Sequence, residues 1–354
     1  MKILVLAQDY PSVDHPYAMA YVHSRNIEYL KSGHDVKVIN FNAKNQYTFE
    51  KVDIYPFSYE LLNSADVILS HAPNIRNHFK VLKKIKNKKI CFFFHGHEVL
   101  HKYRDYPPAY PWKKESYAKK LVLHLYDILK IKLVGHYMQK LALKNNVSSI
   151  FVSSWMKEQF IKNVKLDPEI LGKTAIISNA CNSIFFKSQY NFDQKNKLAD
   201  YITIRPLDDS KYAIDLVLNF AKNNPDKYFH IYGKGNYFNF NEKPKNVEVF
   251  KQFIQQKDIP ELLNKYKFAI MPTRYDAQGV MVCEMATYGI PLITTDFSVC
   301  LEMLSSFSNV YFLKEEEFST VKSEKIILAD KNDLNYKFSP EKLIRDELDF
   351  INAI

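Results

Sequence analysis

Residues 269–296 run Ala269-Ile-Met-Pro-Thr-Arg-Tyr-Asp-Ala-Gln-Gly-Val-Met-Val-Cys-Glu-Met-Ala-Thr-Tyr-Gly-Ile-Pro-Leu-Ile-Thr-Thr-Asp296. This one segment lays out strand, loop, helix and strand in order. A buried-type apolar run starting at Phe268 ends at Pro272, and a polar loop with Asp276 and Gly279 follows. The stretch from about Val280 to Tyr288 predicts a helix; Gly289 supplies its cap and Pro291 opens the next strand. A helix starting directly behind a strand presents unpaired backbone N–H groups in its first turn, here from Gln278 to Met281. With the helix dipole these suit a phosphate or sugar oxygens. Asp276, in the loop, and Glu284, expected to face outward from the second turn, could each grip vicinal hydroxyls through charge-assisted hydrogen bonds. Taken alone, the spacing fits equally a capping Asp276 and a solvated Glu284.

The same alternation extends in both directions. Strands are expected at Ile3–Ala7, Val36–Phe41, Val67–Ser70, Ile90–His95, Ile150–Val152 and Ala175–Ile177. In the second half they are expected at Ile202–Ile204, Tyr228–Tyr232, Val247–Phe250, Phe268–Met271, Leu292–Thr294 and Val310–Leu313. Several are apolar on consecutive positions, as central parallel strands covered on both faces are. Helices lie between them, for example Tyr21–Ser32 before Gly33 and Lys211–Asn223 before Pro225. The pattern predicts an α/β protein with two doubly wound, Rossmann-like domains. The polar, aperiodic stretch Lys187-Ser-Gln-Tyr-Asn-Phe-Asp-Gln-Lys-Asn-Lys197 marks the boundary, giving domains 1–185 and 186–354. The last helix, about 339–354, is expected to pack back on the first domain. Ligands should sit at the carboxyl ends of the strands, in a cleft between the domains.

Composition limits the alternatives. The 354 residues are 47% hydrophobic and 25% charged, which excludes a disordered chain. Four cysteines without a C-x-x-C pair argue against a disulfide framework or zinc site and fit a reducing cytosol. The first apolar run is too short for a signal sequence, and no window reaches the roughly 18 apolar residues of a membrane span. The net charge of +10 is unevenly placed: residues 76–144 hold 17 Lys and Arg against 4 Asp and Glu, leaving the rest near −3. Such a patch calls for an anionic partner.

Segment 269–296 closely resembles the signature of the retaining GT-B glycosyltransferases, family 4 (group 1) in particular: a carboxylate, seven residues, a Glu, small residues, then Gly and Pro. That family usually has Glu where Asp276 stands and an aromatic where Gln278 stands. The resemblance covers most of the chain. Arg205 and Lys211 match the basic pair that holds the donor diphosphate, although the neighbouring glycines are replaced by Ile204 and Tyr212. Ile231-Tyr-Gly-Lys-Gly-Asn resembles the family's strand-to-Gly-x-Gly turn. Phe92-Phe-Phe-His-Gly-His-Glu-Val resembles its strand ending in His-Gly-x-acid, with His95 beside the reacting sugar. Ile176-Ile-Ser-Asn-Ala-Cys-Asn182 is similar to the turn closing the first domain, with its Pro and Gly lost, the Gly at Ala180. The family's Gly-rich first loop is here Pro16-Tyr-Ala-Met-Ala-Tyr21.

The resemblance implies a sugar-transferring enzyme without metal or other cofactor, using a UDP- or GDP-linked donor. It implies catalytic roles for His95, Arg205, Lys211, Asp276 and Glu284. Donor contacts fall to Gly233, Gly235, Phe253, Ala277, Gln278, Gly279, Val280 and Met281, and acceptor contacts to His97, Glu98 and Tyr17. Each residue also has a plainer reading: Arg205 and Lys211 as cations on a solvated loop, His95 or His97 as a histidine satisfying a loop carbonyl. A nucleotide-sugar epimerase, a phosphorylase, or a non-catalytic binding subunit are the rival functions.

The basic region adds a separate signal. The stretch from Trp112 to Leu133 looks amphipathic, with Tyr103, Tyr106 and Tyr110 ahead of it. This composition suits a surface lying on anionic lipid, and no recognised nucleic-acid-binding module accompanies it. An ordinary solvated helix with one core face is the alternative. The expected partners are thus a nucleotide sugar, a glycan or lipid-linked acceptor, and an anionic membrane surface on its cytoplasmic side.

Overall fold

The computed structural model describes residues 1–15, 18–327 and 334–354. The chain divides into two compact units. Unit 1 comprises residues 1–105, 117–180 and 339–354, and unit 2 comprises residues 106–116 and 181–338. The division falls after Ala180 rather than at 185, and the chain exchanges twice more: residues 106–116 belong to the second unit and the last helix to the first.

Unit 1 is built on β1 (Lys2–Ala7), β2 (Asp35–Asn40), β3 (Tyr47–Phe49), β4 (Val52–Tyr55), β5 (Val67–His71), β6 (Lys89–Phe94), β7 (Asn146–Phe151) and β8 (Thr174–Ile176). Their order across the sheet is β3-β4-β2-β1-β5-β6-β7-β8, parallel except for β3. β1 pairs with both β2 and β5, Ile3 standing opposite Val36 and Val67. Strand order therefore reverses between β1 and β5. Leu4, Val5, Leu6, Ile68, Leu69, Phe92, Phe93 and Phe94 are buried on consecutive positions, because helices cover both faces. The β3–β4 hairpin is not foreseen in the sequence. Its two-residue turn, Glu50 and Lys51, has φ of 45° and 71°, a conformation usually flagged by Asn or Gly.

The last helix, Pro340–Asn352, begins at Ser339, whose hydroxyl accepts the Lys342 amide, with Pro340 in the first turn. It docks through Leu343, Ile344, Leu348 and Ile351 and carries one buried acid, Glu347. That carboxylate accepts Arg25 Nε at 2.7 Å and the Tyr29 hydroxyl at 2.5 Å, all three side chains being buried.

Unit 2 is a six-stranded parallel sheet of β9 (Ala199–Ile204), β10 (Phe229–Tyr232), β11 (Val247–Phe250), β12 (Tyr266–Ile270), β13 (Leu292–Thr295) and β14 (Val310–Leu313). The order is β11-β10-β9-β12-β13-β14, so the reversal lies between β9 and β12. Residues 106–116 do not form the start of an amphipathic helix. Pro107, Pro108 and Pro111 break it, and Tyr110 and Trp112 pack into this unit's core. Tyr110 donates to Asp215 at 3.1 Å, Trp112 stacks on Phe240, and Lys113 pairs with Asp209 at 2.9 Å. The helix of the basic region starts only at Tyr117 and runs to Ala142.

Candidate functional site

In doubly wound sheets the crevice for ligands opens at the carboxyl ends of the strands where their order reverses. Unit 2 places its chemistry there. After β9 comes Arg205, and after β12 comes the loop of Asp276 with the helix Val280–Tyr288, whose bounds match the sequence expectation. Gly279 precedes that helix with φ 74°, a left-handed conformation that costs a residue with a Cβ about 1–2 kcal/mol. The backbone N–H groups of Gly279, Val280 and Met281 have no acceptor among the described residues. Gln278 differs: its amide, like that of Ala277, points at Asp276 Oδ1, at 3.4 and 2.8 Å. Asp276 is thus partly the capping residue of the plainer reading, with its second oxygen uncommitted.

Arg205 is buried, contrary to a solvated loop position. Its Nη2 donates to Met271 O and Thr273 Oγ1, both at 2.8 Å, which ties the end of β9 to the end of β12. Its Nε has no hydrogen-bond partner among the described residues. Burial pulls the guanidinium below its ordinary range, and the Asp276 charge opposes this. Lys211 lies on a 3-10 turn, its ammonium 4.7 Å from the Tyr212 ring, which Arg205 approaches from 5.4 Å. Among the described residues Lys211 makes no ion pair. Its carbonyl accepts the Arg274 amide at 2.8 Å, and Arg274 is itself clamped by Asp215 and Glu315. Tyr212 therefore replaces the expected glycine with a ring shared by two cations, worth about 0.5–2 kcal/mol per contact.

Gly233 and Gly235 close the same corner. A Cβ at Gly233 would stand 1.8 Å from Arg205 O, so backbone approach there admits only glycine. Phe253 is exposed, with Lys234 Nζ 4.8 Å from its ring. Glu284 does not face outward. It is buried, accepts the Asn182 amide at 3.1 Å and Gln256 Nε2 at 2.6 Å, and desolvation pushes its carboxyl up to about 7. Both of these partners come from segments far away in sequence, which a helical wheel cannot supply.

The reversal in unit 1 collects histidines instead. His71 ends β5 and His95 follows β6; His71 Nδ1 and His95 Nε2 lie 3.3 Å apart, and the Tyr21 ring packs 4.6 Å from His95. Burial, with the Arg25 charge, holds both imidazoles well below the usual histidine range, so both are neutral near pH 7. His95 Nδ1 is buried without a partner among the described residues. Glu98 is spent on the turn, accepting the amides of His95 at 2.8 Å and Gly96 at 2.6 Å. His97 is exposed and its carbonyl accepts Lys130 Nζ. Tyr17 lies outside the described residues.

With this geometry in view, comparison with known proteins gives the class. Residues 185–338 match the family model of glycosyl transferases group 1. These residues, which make up most of unit 2, are similar to that family. An uncharacterized glycosyltransferase of Methanocaldococcus jannaschii is 24% identical over 318 residues, covering 81% of this chain and 85% of that one. Among solved structures, a glycosyltransferase from Rickettsia africae superposes with a TM-score of 0.65 at 11% identity, over 99% of this chain and 97% of that one. The sucrose-phosphate synthase of Thermosynechococcus elongatus gives 0.61 at 11% identity, over 99% of this chain and 94% of that one. The chain therefore has the GT-B fold.

Within unit 2 the structure brings Arg205, Lys211, Gly233, Asp276 and the Gly279–Met281 amides to one end of the sheet. Two participants were not legible in the sequence. His71 closes a strand without any motif, and only the sheet order marks its position. Arg274, which braces Lys211, sits inside the quoted segment, but its partners Asp215 and Glu315 are remote.

Proposed function

We propose that this chain is a metal-independent, retaining glycosyltransferase of the family 4 kind. It moves a sugar from a nucleotide donor to a lipid-linked or glycan acceptor in bacterial surface-polysaccharide assembly, on the cytoplasmic side of the membrane. The observation that carries the reading is the cationic cradle of unit 2: an ammonium without an ion pair, at Lys211, beside three backbone N–H groups without acceptors. Such a cradle suits a nucleoside diphosphate, whose charge grows as it leaves.

In this mechanism the bond from the anomeric carbon to the diphosphate oxygen breaks while the acceptor oxygen bonds to that carbon on the same face. The acceptor proton passes to the departing phosphate. Lys211 and the Gly279–Met281 amides hold the leaving group, and Arg205 adds positive potential from beneath. Asp276 orients the donor sugar through its uncommitted oxygen, Glu284 takes a ribose hydroxyl, and Phe253 lies against the base. Neutral His95 donates to or accepts from the sugar, held in place by Glu98 and His71.

The test is a thermal-shift screen against UDP-, GDP- and dTDP-sugars, followed by a turnover assay. Stabilisation by one donor and nucleoside diphosphate release only with an acceptor are expected, the product keeping the donor's anomeric configuration. Diphosphate release without any acceptor points to an epimerase, and binding without turnover on any acceptor pool points to a non-catalytic subunit. Either overturns the proposal, as does loss of activity in EDTA.

A further inference from the structure

The loop after β9 places three acids beside a cation that makes no ion pair among the described residues. Asp208, Asp209 and Asp215 all lie within four residues of Lys211 in the chain. Any of them brought near its ammonium would offset the charge that an anionic ligand needs. Each is engaged elsewhere. Asp208 accepts the Asn236 amide at 2.7 Å. Asp215 holds Arg274 through both oxygens, at 2.8 and 2.6 Å, and accepts the Tyr110 hydroxyl at 3.1 Å. Asp209 pairs with Lys113 at 2.9 Å. Two of the three acids are therefore held by residues 106–116, a strap whose chain neighbours on both sides belong to unit 1.

The strap is built to stay in place. Pro107, Pro108 and Pro111 each fix φ, which leaves less chain entropy to lose on docking. The Lys113 amide donates to the Tyr110 carbonyl at 2.9 Å, closing a turn with Pro111 at its second position. Tyr110 stacks on Trp112 at 4.6 Å and meets the Tyr237 ring edge-on at 5.1 Å, while Trp112 lies flat on Phe240 at 5.4 Å. These rings seat the strap. The Lys113–Asp209 pair adds little to that, because its side chains are 37% and 54% exposed and water screens them. Its consequence is local. Asp209 and Lys211 share one 3-10 turn, which closes where the Tyr212 amide donates to the Asp209 carbonyl at 3.0 Å. With Lys113 in place, the acid of that turn is occupied and its lysine is not.

We propose that Lys113 is a positioning residue for the cradle: it keeps Asp209 away from Lys211, so that the ammonium meets a diphosphate unneutralised. This deepens the proposed donor site and rests on Lys211 as a diphosphate ligand. Without Lys113, Asp209 turns to Lys211, and the diphosphate has to displace a carboxylate before it binds. A double-mutant cycle on the full chain tests this, with binding of UDP, GDP, dTDP and inorganic pyrophosphate followed by calorimetry at low salt. Lys113→Met keeps most of the aliphatic stem and weakens binding about three- to tenfold. In the Asp209→Asn background the same substitution changes binding less than about twofold, since no acid remains to be released. Equal losses in both backgrounds are what the plain field of one cation, or a loosened strap, would give, and they overturn the inference. So does equal binding by wild type and Lys113→Met. An additive cycle with a nucleotide that wild type binds well leaves the donor site standing and removes only the role of Lys113. A non-additive cycle with pyrophosphate, in a protein that ignores all three nucleotides, keeps that role and removes the nucleotide donor. If wild type binds none of the four, both readings fall.

Discussion

The two sheets share one architecture, yet the places where their strand order reverses are built from opposite chemistry. In unit 1 the carboxyl ends of β5 and β6 carry two histidines held neutral by burial. The nearby charge, Arg25, is locked to Glu347 of the last helix. In unit 2, among the described residues, the ends of β9 and β12 carry Lys211 without a counter-ion, a buried Arg205 with one unused N–H, and three unclaimed amides. One fold can thus end in a nearly neutral set of strand ends or in a positive one. What differs is whether the cations at the strand ends are paired inside the protein. On the proposed function, charge in unit 1 is structural and charge in unit 2 binds the donor.

The largest expected effect follows from breaking the paired side. Arg25→Met leaves Glu347, fully buried, with an uncompensated charge, and should cost about 3–5 kcal/mol. Urea denaturation measures it, and adding Glu347→Leu to the variant should recover part of the loss. On the unpaired side, Lys211→Ala leaves no acid stranded. Its stability should stay within about 0.5 kcal/mol of wild type, while kcat falls about 10²–10³-fold, as on loss of one transition-state donor. A Lys211→Ala variant that loses stability but keeps its kcat, or an Arg25 variant of full stability, erases the distinction.

Glu284 sharpens the comparison because it is an acid on the functional side that is buried like one on the structural side. Its folded carboxyl is raised from 4.5 to about 7. The folded state then holds more protons than the unfolded chain between those values. Stability falls as pH rises through that window and levels off above it, by about 3 kcal/mol in all. Glu284→Gln lacks this term, so it should gain on wild type steadily from pH 5 to pH 8 in thermal denaturation. Parallel curves for the two proteins would mean that the carboxyl is already ionised.

Most strands were legible because a parallel strand covered on both faces reads as an unbroken apolar run, as at Phe92-Phe-Phe94. The helix Val280–Tyr288 was legible to the residue because Gly279 and Gly289, both at positive φ, punctuate it. What escaped depended on distant partners. The β3–β4 hairpin turns on Glu50 and Lys51, which carry no turn signature. Glu284 reads as an outward-facing acid until Asn182 and Gln256 close over it. Tyr110 and Trp112 look like surface aromatics, yet they pack with Asp215 and Phe240. The stretch from Trp112 to Leu133 was visible as amphipathic sequence, but only the fold shows that the buried positions of the helix Tyr117–Ala142 begin at Asp127.

The smallest expected effect separates the two sites by pH. The groups around His95 are His71, Tyr21, Arg25 and His97, and burial with the Arg25 and His97 charges keeps its imidazole neutral through the range in which an ordinary histidine titrates. His95→Asn retains a hydrogen-bonding side chain and loses one well-placed contact, about 0.5–1.5 kcal/mol, so kcat should drop about tenfold or less. Because His95 carries no charge to lose, the pH profile of kcat/KM should keep its shape in that variant. Any limb near pH 7 belongs to Glu284, whose carboxyl titrates there, and should vanish in Glu284→Gln while surviving in His95→Asn. A limb that vanishes with His95 instead would mean the histidine is charged in the working enzyme. The neutral and cationic strand ends would then no longer be opposites.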